Sequence, residues 1–180
     1  MSEKKKCITL YKKLGAELFK RACWFKKRSY NIKPVKITKL QLSTFLTSGL
    51  GLKGVRLYDN EYYITDIDTW ESIILHDWID KKEYVKDTFD CDNFSDTFSS
   101  MMAFIFGLNT AGKYRSIELL NPTTHKHIGW HRANIIVASK NGLLIAYVYE
   151  PMNDKWCRIK KDKPIVIGSW LYTKGYWEFN

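Results

Sequence analysis

The chain has 180 residues, 45% of them apolar, with 7 Trp, 11 Tyr and 9 Phe. That length and apolar content suit one globular domain with a short appendage, and they exclude a globally disordered chain. No apolar run is long enough to span a bilayer as a helix, so no transmembrane segment is expected. The formal net charge of +10 is uneven: residues 1–33 carry eleven basic residues against two acids, and the rest carry eighteen against seventeen. The body is therefore near neutral, which argues against a nucleic-acid binder that uses its whole surface.

In chain order, Leu10, Leu14, Leu18, Ala22 and Phe25 recur at helical spacing with Lys and Arg between them. This predicts a basic amphipathic arm over residues 1–33, preceding a domain over 34–180. Such a basic N-terminus is expected to contact nucleic acid or an acidic protein surface. An anionic membrane, or simple packing on its own domain, would use the same face. The first apolar stretch is interrupted by lysines, so there is no recognisable secretory signal. The four cysteines form no C-x-x-C pair, and free thiols in an intracellular setting are expected.

Thr38 is a plausible N-cap for a short helix over Leu40 to Leu46, broken by Gly49, Gly51 and Gly54. Val55–Tyr58 and Tyr62–Thr65 flank Asp59-Asn60-Glu61 and predict a hairpin. Asp68-Thr69-Trp70-Glu71 has the form of a capping box, opening a helix to about Trp78. Phe94, Phe98, Met101 or Met102, and Ile105 make one apolar stripe over Phe89–Phe106, with Asp90 as N-cap and Gly107 as terminator. Strands are expected over Tyr114–Leu120, Ile128–Ser139, Leu143–Glu150, Trp156–Ile159 and Ile165–Tyr172. Asn141-Gly142 is the strongest turn signal. Helices followed by an antiparallel sheet predict an α+β fold.

The chemistry-bearing residues cluster in this reading. If Asp90 caps the helix, Cys91 lies in its first turn, where the dipole and unpaired N–H groups favour a thiolate, although Asp90 and Asp92 oppose it. Burial as a small core side chain is the plain alternative for such a cysteine. A two-residue turn at Asn141-Gly142 pairs Lys140 with Leu143. That register puts His131 and Glu150 on one strand face as diagonal neighbours, about 7–8 Å apart. The same face carries Ala133, Ile135 and Val137, which the Cys91 helix is expected to cover. Asn134 falls on the opposite face, and Asp154 is a weaker partner for the histidine. The pattern suggests Cys91 as nucleophile, His131 as proton carrier and Glu150 as the group orienting it. The Cys91 N–H is one oxyanion donor. The sole glutamine, Gln41, lies far upstream, and no second donor is identified.

The stretches Tyr84-Val85, Phe89-Asp90-Cys91-Asp92-Asn93-Phe94-Ser95, Gly129-Trp130-His131-Arg132-Ala133-Asn134-Ile135 and Glu150-Pro151 resemble the papain-like cysteine protease domain of the lectin-related Marasmius oreades agglutinin type, which has phage-encoded relatives. The resemblance covers roughly residues 38–157. It implies a hydrolase of papain-like fold with a Cys91-His131-Glu150 catalytic triad that acts on a peptide or protein substrate. It also implies a divalent cation, calcium, for which Asp90, Asp92 and Asp96 are the candidate ligands. Arg132 departs from the small or aromatic residue expected after the histidine. Two other readings compete. His125, His127 and His131 share strand parity and could bind zinc. Alternatively the fold is catalytically silent, a viral protein serving as a virion or assembly component anchored by its basic arm.

Overall fold

In a computed structural model, the structure describes residues 32–179. The arm expected over 1–33, and its helix, lie outside the described residues apart from the last two positions.

The α+β, papain-like arrangement of N-terminal helices followed by an antiparallel sheet is not what the chain forms. The described residues are 41% strand and 27% helix. Strands precede helices: β1 (Val35–Thr38) comes first, then the short α1 (Lys39–Thr44), whose end winds as a π-helical turn over Phe45–Gly49. β2 (Val55–Leu57) and β3 (Glu61–Ile64) follow, then α2 (Ile67–His76), a single 3-10 turn at Ile79–Lys81, and α3 (Cys91–Phe106). The remainder is β4 (Ala111–Leu120), β5 (His127–Lys140), β6 (Leu143–Glu150), β7 (Lys155–Arg158), β8 (Ile165–Ile167), β9 (Trp170–Thr173) and β10 (Tyr176–Phe179).

The large sheet has eight strands and is mixed. Its main path runs β2-β10-β4-β5-β6-β7, with β9 on β4 and β8 on β9. The expected β2–β3 hairpin does not form: β2 pairs parallel with β10, and β3 pairs antiparallel with β1. Three-residue β2 has too little ladder of its own. It is completed by the carboxy-terminal strand, which local pattern could not announce. The strand expected over Ile165–Tyr172 is instead a tight pair, β8 and β9, turning at Gly168-Ser169.

The Asn141-Gly142 turn fixes Lys140 opposite Leu143 and Asn134 opposite Tyr149. Ala133 through Ala138 are all 0% exposed, so this part of β5 is covered on both faces. One face, with Ala133, Ile135, Val137, Ala146 and Val148, packs on Ile37, Leu42, Leu46, Tyr62 and Ile64 from the β1–α1–β3 segment. The other face meets α2 and α3: Phe98 lies 4.5 Å from Tyr149 and 6.3 Å from Trp70, centroid to centroid. The Cys91 helix therefore covers the Asn134 face, not the Ala133 face expected from the sequence. Along α3, Phe94, Phe98, Met102 and Phe106 form the buried stripe. Each such side chain contributes roughly 1.5–3 kcal/mol by leaving water.

Candidate functional site

Three elements bring the site together. Asp90 caps α3 in a reciprocal capping box with Asn93, which makes Cys91 the first helical residue. Cys91 is a half-buried free thiol at the positive end of the helix. β5 contributes His131, which is 8% exposed, and the end of β6 contributes Glu150, which is 0% exposed.

His131 Nε2 lies 2.9 Å from Glu150 Oε1 and 3.0 Å from Oε2. Nε2 is committed to Glu150, and the Cys91 side chain is the other group that acts on the ring. Burial opposes the charged imidazole. The hydrogen bonds to Cys91 and Glu150, with the Glu150 charge behind them, outweigh it and push His131 up to about 9. A value of about 9 favours the cationic ring at neutral pH, with Glu150 and Cys91 as the groups that support it.

β9 closes the site. The Trp170 ring stands edge-on to His131 at 5.6 Å, and Tyr172 does so at 6.1 Å. The Tyr172 hydroxyl donates to Glu150 Oε1 at 2.7 Å. Next to the carboxylate a cleft of about 250 Å³ is lined by Glu150, Asn153, Lys155, Ile167, Ser169 and Trp170.

α3 lies across the sheet from the histidine's face, yet its first turn reaches His131. Two features place it. β4 carries a bulge between Tyr114 and Ile117, opposite Ala133 and His131, and bulges bend and re-aim strands at such points. Arg132 then ties that level of β5 to the helix, with Nη1 3.3 Å from Asp96 and 3.6 Å from Asp92. Arg132, the departure from the resembling motif, is thus a tether for the first turns of α3. Asn134 supplies a second tether. Its Nδ2 donates to Ser95 O at 3.0 Å, Ser99 Oγ at 2.9 Å and Gly112 O at 3.0 Å.

Other sequence candidates fall elsewhere. Gln41 is engaged in the α1 cap, its Oε1 accepting from Thr38 N at 2.8 Å. Asp154 accepts from the Tyr149 hydroxyl at 2.7 Å rather than orienting His131. The three histidines do not share a metal site. His127 lies 3.4 Å from Glu118, and His131 is taken by Glu150. Asp90, Asp92 and Asp96 do not converge on a cation either: Asp92 and Asp96 are held by Arg132, and Asp96 also by Lys113.

Among the described residues, the group that could hold a metal is Asp77, Asp80 and Asp154, with ligand atoms within 4.8 Å of one another. Asp77 is 2% exposed. Burial, with Asp154 and Asp80 adding to it against the Ile79 N–H, pushes its carboxyl up to about 7. One buried and two partly buried carboxylates this close together suit a hard divalent cation such as calcium. The sequence signal for this set was weak because its members come from a helix end, a 3-10 turn and a strand turn.

No family model and no curated protein matches the chain. Among solved structures the chain is similar to a Polyporus squamosus lectin bound to the human-type influenza-binding epitope Neu5Aca2-6Galb1-4GlcNAc. The TM-score is 0.50 at 18% identity, over 68% of this chain and 45% of that one. It is also similar to a structure described as a PSL1a-E64 complex, with TM-score 0.49 and 18% identity, over 67% of this chain and 46% of that one. The chain spans less than half the length of either. At this identity the likeness shows a shared fold. The neighbour at TM-score 0.50 is a lectin structure, and hydrolase, cysteine protease and catalytic triad, the classification implied by the resemblance, are not supported by it and are withdrawn as a description of the chain. No helix among the described residues is long and apolar enough to cross a membrane.

Proposed function

We propose that Cys91, His131 and Glu150 form a thiol site that cleaves a peptide or other amide bond. The observation that carries this reading is the buried His131 imidazole, 2.9 Å from Glu150 and close enough to the Cys91 side chain for that group to help raise it. In the proposed reaction the Cys91 sulfur attacks the carbonyl carbon and forms a thioester. The His131 imidazolium gives its proton to the departing amine. The neutral imidazole then takes a proton from water, which attacks the thioester, releases the acid and restores the thiol. Glu150 holds the ring and its positive charge throughout. The order and spacing of the three residues support a relation of residues 38–157 to part of the Marasmius oreades agglutinin type of lectin.

The test is iodoacetamide labelling of the native protein, mapped by residue, with partly buried Cys157 as internal reference. Cys91 is expected to label at least tenfold faster than Cys157 at pH 7, and His131→Ala is expected to remove that advantage. Equal, slow labelling of both cysteines would overturn the reading and leave the fold as a binding or assembly module.

A further inference from the structure

We propose that Tyr172 is a positioning residue of the site, its hydroxyl fixing the Glu150 carboxylate in the orientation that grips His131. This rests on the thiol-site reading above.

Glu150 is 0% exposed, and a buried carboxylate needs donors. Two side chains supply them, His131 from β5 and Tyr172 from β9. The His131 Nε2 sits almost evenly between the two carboxylate oxygens, at 2.9 and 3.0 Å. That contact alone does not choose a rotation of the carboxylate plane. Tyr172 does choose, because its hydroxyl meets Oε1 only, at 2.7 Å. The tyrosine is itself rigidly held: it is 4% exposed and paired on both edges, with Ile165 on one side and Leu119 on the other. Its ring edge also walls the imidazole. The position is therefore a fixed hydroxyl built into the sheet.

The charged and titratable neighbours are few. Glu150 faces His131 and Tyr172, with Lys155 opposite it in the β6–β7 register. Tyr172 faces Glu150, with Tyr114 and Cys157 beyond. Burial and the Glu150 charge raise the Tyr172 phenol, so it remains a donor across the working pH range. A hydrogen bond to the charged form of an acid favours that form. Losing it leaves Oε1 without its second donor and the carboxylate free to turn away from the imidazole.

The experiment measures the Cys91 iodoacetamide rate from pH 4 to 10 in the full chain. It compares wild type, Tyr172→Phe, Glu150→Gln and the double variant. Tyr172→Phe is expected to lower the Cys91 rate at pH 7 about tenfold, the order expected for one hydrogen bond to a charged group. It should displace the pH profile of the Cys91 rate and leave the Cys157 rate unchanged. In the Glu150→Gln background the same change should cost less than twofold, because the tyrosine acts through the carboxylate. An unchanged rate and profile in Tyr172→Phe would overturn the proposal, as would an equal loss in both backgrounds. Loss of the wild-type melting transition in Tyr172→Phe would also overturn it, since the hydroxyl would then belong to the fold. Wild-type Cys91 labelling no faster than Cys157 would overturn the thiol-site reading itself, and the proposal with it.

Discussion

His131 and Glu150, on neighbouring strands and nineteen residues apart, share a buried hydrogen bond of 2.9 Å. Their pairing makes stability depend on pH. The His131 value is raised from its ordinary 6.5 to about 9, so the folded chain holds this proton more tightly than the unfolded chain. The stabilisation is fully present below about pH 6.5 and is lost as pH rises through about 9. Urea unfolding is expected to show the wild type losing on the order of 2–3 kcal/mol across that window. His131→Gln should be less stable at pH 6 and nearly flat over the same range. Parallel losses in both proteins would mean that the pair does not carry the effect.

The two tethers of α3 should separate stability from reactivity. Asn134→Ala removes the contacts of one Nδ2 with Ser95 O, Ser99 Oγ and Gly112 O, two of them fully buried. A loss of about 2–4 kcal/mol in urea unfolding is expected. Arg132 meets Asp92 and Asp96, both about half exposed, so Arg132→Gln should cost at most about 1 kcal/mol. It nevertheless frees the first turn of the helix, and Cys91 labelling at pH 7 should fall severalfold. An Arg132→Gln protein with wild-type labelling would show that the helix is held without that contact.

What could be read from the sequence was what local pattern controls. Asp90 and Gly107 bound α3 because caps act within a turn. Asn141-Gly142 fixed the β5–β6 register because a two-residue turn leaves no other pairing, and that register sets His131 near Glu150. The face covered by α3 was misjudged because Ala133 to Ala138 are buried on both sides, so alternation carried no information there. β2 was misassigned because its partner is the distant β10. The Asp77, Asp80 and Asp154 group and the Tyr172 hydroxyl come from separate loops and strands, and no spacing rule joins them.

Gly175 closes the turn between β9 and β10, with φ +82. A Cβ there would come 2.6 Å from the Arg115 carbonyl oxygen and 2.8 Å from the Tyr114 ring. The same turn seats Trp177 on Tyr114, with ring centroids 3.7 Å apart, so it has no slack. Gly175→Ala is expected to destabilise by about 2–4 kcal/mol, combining left-handed strain with the clash. Gly142 has a similar φ of +77 but open space around it. Gly142→Ala should cost only about 1–2 kcal/mol. Thermal melts of the two variants give the comparison, and equal losses would mean that the Gly175 contacts relax.

Asp77 should show the opposite chemistry to a stabilising carboxylate. Burial, with Asp154 and Asp80 close by, raises its carboxyl from 3.8 to about 7. The folded state therefore prefers the protonated acid, and this preference stabilises the fold below about pH 4 and is lost as pH rises through about 7. In the presence of EDTA, Asp77→Asn should be close to wild type at pH 4. At pH 8 it should be more stable by roughly 1–3 kcal/mol, because it removes a buried like charge. A divalent cation cancels the same repulsion. Millimolar calcium at pH 8 should therefore raise the wild-type Tm by several degrees and leave Asp77→Asn unmoved. A Tm of the wild type that ignores calcium at pH 8 would remove the three aspartates as a cation site. An Asp77→Asn protein less stable than wild type in EDTA at that pH would show that the donors from Ile79 and Tyr149 outweigh the repulsion.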